Sequence, residues 1–95
     1  MEVRTLADER ILDILDKDSQ RGMALLMEKY TALIWHVSSH YIRNPEDIKE
    51  CVNDTFSEFY FHRKRFKSEK SSLAAYLTAI ARNKAVSLYR KEQRE

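Results

Sequence analysis

Asp47, Glu50, Asp54 and Glu58 recur at steps of three and four residues, a spacing that lines four carboxylates along one side of a helix. Residues 45–60 hold five acids against the single base Lys49, so the i,i+4 partners that normally relieve an exposed charged face are missing. Glu50 and Asp54 stand four apart and repel each other by roughly a few tenths of a kcal/mol. Most charged helix faces are simply solvated. A face this one-sided is suited to receiving a basic element of another macromolecule.

The last third of the chain has the opposite sign. Residues 61–95 carry ten bases and three acids. The bases are interleaved with flat side chains: Tyr60, Phe61, His62, Arg63, Lys64, Arg65, Phe66 and Lys67, then Tyr76, Arg82, Lys84, Tyr89 and Arg90. Lysine and arginine follow a phosphate chain through counterion release, while aromatic rings accept unstacked bases. The pattern reads as a surface for single-stranded nucleic acid. The plainer reading leaves Phe66 and Tyr76 in the core and makes the bases solubilising charge. Between the two groups the polar run from Lys67 to Ser72 forms a short basic loop able to grip a base through backbone groups.

Catalysis finds no support. There is no glycine-rich phosphate loop and no nucleophile with an obvious base and orienting acid, so the chain reads as a non-enzyme without a cofactor. His36 and His40 lie four apart, but zinc needs a third protein ligand and none is evident. No metal site is expected. The single Cys51 cannot form an internal disulfide, and no apolar run has the length of a signal peptide or a membrane span. The expectation is a cytoplasmic protein that does not engage a membrane.

Helices must position these groups. The 95 residues suffice for one domain, and with one glycine and one proline there is little to build hairpins or bulges. The composition, 43% hydrophobic and 34% charged, predicts an ordered, all-α, compact bundle of about four helices with no sheet. A first helix is expected over residues 6–16, around Ile11, Leu12 and Leu15. A second begins near Ser19, capped by Asp18 or Ser19, with a core stripe of Met23, Leu26, Met27, Tyr30, Leu33, Ile34, Val37 and Tyr41. Asn44-Pro45-Glu46-Asp47 starts a third: an Asn cap, then Pro where its missing N–H costs nothing. On it Ile48, Val52, Phe56, Phe59 and Tyr60 fall on one side, opposite the acidic row. Ser71 or Ser72 caps a fourth, with Leu73, Tyr76, Leu77, Ile80, Ala81 and Leu88 inward. No Gly or Pro ends that helix before Glu95, so the chain reads as cut from a longer protein.

The run from Asn44 through Asp47, Glu50, Asn53 and Asp54 to Phe56, followed by Tyr76-Leu77-Thr78-Ala79-Ile80-Ala81-Arg82-Asn83, resembles region 2 of bacterial RNA polymerase sigma factors of the extracytoplasmic-function group. The resemblance covers nearly the whole chain. It implies that the acidic helix docks on the basic coiled coil of the clamp, in the β′ subunit of core RNA polymerase. The family's Asp, Gln and Glu are met here by Glu50, Asn53 and Asp54, with Asp47 on the same row. It further implies that the loop from Lys67 to Ser72 and the start of the last helix capture a base flipped from the single-stranded non-template strand of the promoter minus-ten element.

The DNA-binding set expected from this resemblance and the charge pattern is Arg63, Lys64, Arg65, Lys67, Ser71, Ser72, Tyr76, Arg82, Asn83, Lys84 and Arg90, with Arg82 touching the strand and Asn83 bracing the loop. Where the family often has Phe and Trp, this chain has Leu73 and Tyr76 and so keeps one aromatic of the two. Family members also carry a second helical domain, region 4, for which 95 residues leave no room, so residues 1–95 are expected to be region 2 alone. An anti-sigma factor is a further partner that the family admits. The rival reading is a helical protein-interaction module without sequence-specific DNA binding. A helix-turn-helix repressor fits least, because the lone Gly22 is far from the basic third.

Overall fold

The computed structural model describes residues 5–94. Asp8–Lys17 (α1), Ser19–Ser39 (α2), Pro45–Phe61 (α3) and Leu73–Arg94 (α4) are α-helices, and Arg63–Arg65 forms a 3₁₀ turn. No strand occurs among the described residues. The protein is all-α, as its composition implies, and the expected boundary of α1 at residues 6–16 moves to 8–17. Glu95, where α4 was expected to run to the chain end, lies outside the described residues. The described residues fall into two compact units that part between Thr31 and Ala32.

In the first unit, Asp8 and Glu9 occupy the first turn of α1 and Lys17 its last, the arrangement that complements the helix dipole. Ile11 and Leu15 are buried. The Asp18 carboxylate accepts from the Arg21 N–H at 3.2 Å and so caps the start of α2. Four residues later Gly22 meets α1. A Cβ there would collide with the backbone of Leu15, 2.6 Å from its nitrogen and 2.8 Å from its Cβ, so only a residue without a side chain permits this approach. Asp8 ties the other end of the pair. It accepts from Tyr30 Oη at 2.7 and 2.8 Å and from Lys29 Nζ at 2.7 Å, and Lys29 also donates to the Leu6 carbonyl at 2.7 Å. Burial first, and then the Asp8 carboxylate, push the Tyr30 phenol well above its ordinary pKa.

In the second unit, the Asn44 side chain accepts from the Glu46 N–H at 2.9 Å, and Pro45 takes the first helical position of α3. The capping signal read from the sequence is therefore the one used. Ile48, Cys51, Val52, Thr55, Phe56 and Phe59 of α3 are buried, and α3 packs on α4, whose buried residues are Leu73, Leu77, Ala81 and Ala85. The polar atoms in this core have partners. Thr55 Oγ1 donates to the Cys51 carbonyl at 2.8 Å, Ser38 Oγ lies 3.4 Å from Cys51 Sγ, and that thiol lies 3.8 Å from the Ala81 carbonyl. Among the described residues no buried side-chain polar atom lacks a partner.

Two expectations about the core are corrected. On α2 the buried side chains are Leu26, Tyr30, Ile34 and Ser38, while Met27 and Leu33 are 36% and 37% exposed. At about 100° per residue, Met27 and Leu33 sit on the two edges of the expected stripe, which is why they fall outside it. Tyr60, Tyr76, Ile80 and Leu88, expected inward, are only half-buried. No helix among the described residues is long and apolar enough to cross a membrane.

Candidate functional site

The acidic face of α3 lies along a groove of about 500 Å³ between α3 and α4. Asp47, Glu50, Asp54 and Glu58 form one wall, Ile80, Asn83, Lys84, Leu88 and Lys91 line the other side, and buried Cys51 also contributes to the lining. Asp47 is half-buried, whereas Glu50, Asn53, Asp54 and Glu58 are exposed. The α3 helix begins with Glu46 and Asp47, which its dipole favours, and has no base in its last turn, where Glu58 is disfavoured. Lys84 of α4 offsets this, with Nζ 3.1 Å from Glu58 Oε1. The row expected to lack any relieving base thus receives one from across the groove, a contact between residues 26 positions apart that helix periodicity cannot reveal. Glu50 and Asp54 keep no such partner among the described residues.

The basic segment begins where α3 ends. The His62 N–H donates to the Glu58 carbonyl at 3.0 Å and closes the helix. Arg63 is half-buried: its guanidinium lies 4.4 Å from the centroid of the Tyr60 ring, and Nη1 donates to the Tyr60 carbonyl at 2.7 Å. One of its five donors is thereby committed, and the rest remain for another partner. Lys64, Arg65 and Lys67 are exposed.

The loop that follows is folded on itself. The Lys67 carbonyl accepts from the N–H groups of Lys70 at 2.9 Å and Ser71 at 3.3 Å. Of the two candidate caps, Ser72 is the one used, its Oγ accepting from the Ala75 N–H at 3.1 Å, and half-buried Ser71 precedes it. The amides of Leu73 and Ala74 stand at the open start of α4, where helix geometry provides no intrahelical acceptor.

Three rings from the two sides of the loop meet edge to face: Phe66 on Tyr76 at 5.2 Å, Phe59 on Tyr76 at 6.2 Å and Phe59 on Phe66 at 6.4 Å between centroids. Such pairs contribute about 0.5–1.5 kcal/mol each beyond area burial. Tyr76 is therefore held in this ring cluster and stays half-buried. Leu73, at 2% exposure, faces the core.

The bases of α4 divide between two faces. Arg82 and Arg90 are exposed and about 80° apart around the axis, with Tyr89 within about 20° of Arg82. Lys84 and Lys91 line the groove instead. Asn83 also lines the groove, about 15 Å along the axis from Leu73, and among the described residues it makes no hydrogen bond to the loop. The His36 and His40 rings pack edge to face at 4.8 Å, and no group of three potential metal ligands occurs among the described residues.

A family model described as Sigma-70 region 2 matches residues 26–95. No curated protein and no solved structure matches the chain.

Proposed function

The chain belongs to the Sigma-70 region 2 family, the part of a sigma factor that serves transcription initiation through core RNA polymerase and promoter DNA, and from that premise we propose how its two charged surfaces divide the work. Residues 1–95 act as a region 2 domain of the extracytoplasmic-function group, working in the cytoplasm. The acidic face of α3, with Asp47, Glu50, Asn53 and Asp54, receives the basic coiled coil of the β′ clamp. The basic segment from Arg63 to Lys67, the loop to Ser72 and the exposed bases of α4 hold the non-template strand of the minus-ten element. An anti-sigma factor that masked either surface would silence the step which that surface serves.

The observation that carries this reading is the α3 face: Glu50, Asn53 and Asp54 are exposed, and no ion pair within the described residues neutralises the two carboxylates. Like charges held side by side favour a cationic partner. The DNA step follows from the same physics. Taking a base out of the stack costs a few kcal/mol, and a protein that binds only the flipped base and the opened strand shifts the equilibrium toward melting. The short loop, closed by its own hydrogen bonds between the clustered Phe66 and Tyr76 and next to the open amides of α4, offers a small pre-ordered rim for that base.

The test is capture of core RNA polymerase by the chain and by a Glu50→Lys, Asp54→Lys double variant of equal helicity. Capture by the parent and loss in the folded variant is the expected result. Capture by both removes the α3 face from the interface, and capture by neither removes the polymerase reading. For the DNA half, single-stranded minus-ten oligonucleotides are expected to bind more tightly than duplex of the same sequence.

A further inference from the structure

Among the described residues Phe61 is by far the most exposed large apolar side chain, at 76% against 36–45% for Met27, Leu33, Trp35 and Tyr89. It is the last residue of α3 and is set on a held neighbour. Its ring meets Tyr60 edge to face at 5.6 Å and 70°. Tyr60 is covered in turn by the Arg63 guanidinium, which is tied to the Tyr60 carbonyl. The five residues after Phe61 include His62, Arg63, Lys64 and Arg65 and no acid, and Lys64 and Arg65 are exposed.

We propose that Phe61 is a stacking platform for an unpaired base, separate from the loop at Lys67 to Ser72, within a strand whose phosphates Lys64 and Arg65 hold. The proposal rests on the single-strand reading above and adds a second contact point to it. Charge complementarity selects the occupant. The apolar face of a protein partner would have to desolvate the surrounding cations, whereas a nucleic-acid strand brings a flat ring for Phe61 and phosphates for its neighbours. Stacking of this kind is tolerant of sequence because every base has a π-face.

The experiment is fluorescence anisotropy at low salt with two probes, a twelve-nucleotide oligo(dT) and an abasic strand of the same length, on the parent chain, Phe61→Ala and Phe61→Trp. The parent should prefer the strand with bases. Phe61→Ala should weaken that binding about fivefold or more while leaving the abasic strand unaffected, and Phe61→Trp should retain the parent's affinity. If the parent prefers bases and Phe61→Ala changes nothing, this platform is overturned and the single-strand reading stands. Equal loss on both probes makes the ring a support for the cations and overturns the proposal. If Phe61→Ala binds both strands as the parent does but loses core polymerase, the ring belongs to the protein interface and the proposal falls. A parent that is folded and binds neither probe, or both equally, overturns the proposal together with the single-strand reading.

Discussion

A methyl group on Gly22 would have to enter the backbone of Leu15, which cannot swing aside as the tip of a long side chain could. Gly22→Ala is therefore expected to lower stability by about 1–3 kcal/mol, against the better helix propensity of alanine. Thermal unfolding followed by circular dichroism should show a fall of about 4–8 °C per kcal/mol, and an unchanged or higher midpoint would contradict the close approach. Tyr30 offers a second test. Its phenol holds its proton more tightly in the folded chain than the ordinary value of about 10 allows. That preference stabilises the fold fully below about pH 10 and is lost as the pH rises beyond it, because the unfolded chain then releases the proton first. Tyr30→Phe should cost about 1–2 kcal/mol at neutral pH and show a smaller further loss at about pH 10.5 than the parent. Urea midpoints at the two pH values measure both. Neither role was legible in the sequence, where Gly22 and Tyr30 were one residue of an ordinary helix and one of its core stripe.

The helices themselves were largely legible, and α3 most of all. Asn44 and Pro45 set its start, and the separation of apolar from acidic residues set its two faces, because capping and periodicity act within a turn or two of chain. Its partner α4 was less so. Arg82, Lys84 and Arg90 read alike in sequence, yet Lys84 turns to Glu58 while Arg82 and Arg90 remain exposed elsewhere. Both members of the pair are partly exposed, so it contributes only about 0–1 kcal/mol to stability, and its effect on association is the more useful readout. Lys84→Gln should leave the melting temperature nearly unchanged, free Glu58, and tighten core polymerase binding several-fold at low salt, with the gain shrinking as salt rises. A titration at two salt concentrations decides it, and unchanged affinity would place the partner away from the groove.

Along the chain as a whole, residues 45–60 carry a net charge of −4 and residues 61–95 one of +7, so the partners met by the two stretches should differ in sign. Binding to a single strand should weaken linearly on a log–log plot against salt, by about 0.7 of slope for each phosphate neutralised. Arg65→Ala is expected to lower that slope by about 0.7 and to weaken all sequences alike, whereas a flat plot would remove the phosphate role. Fold class, helix starts, the sign of each surface and the family could be read from local order, since each depends on neighbours in the chain or on composition. The exclusion of Met27 and Leu33 from the core, the pairing of Lys84 with Glu58, the clustering of Phe59, Phe66 and Tyr76, and the exposure of Phe61 came only with the folded chain. Periodicity gives the direction of a side chain around its helix axis, but what stands in that direction depends on how helices distant in sequence are packed together.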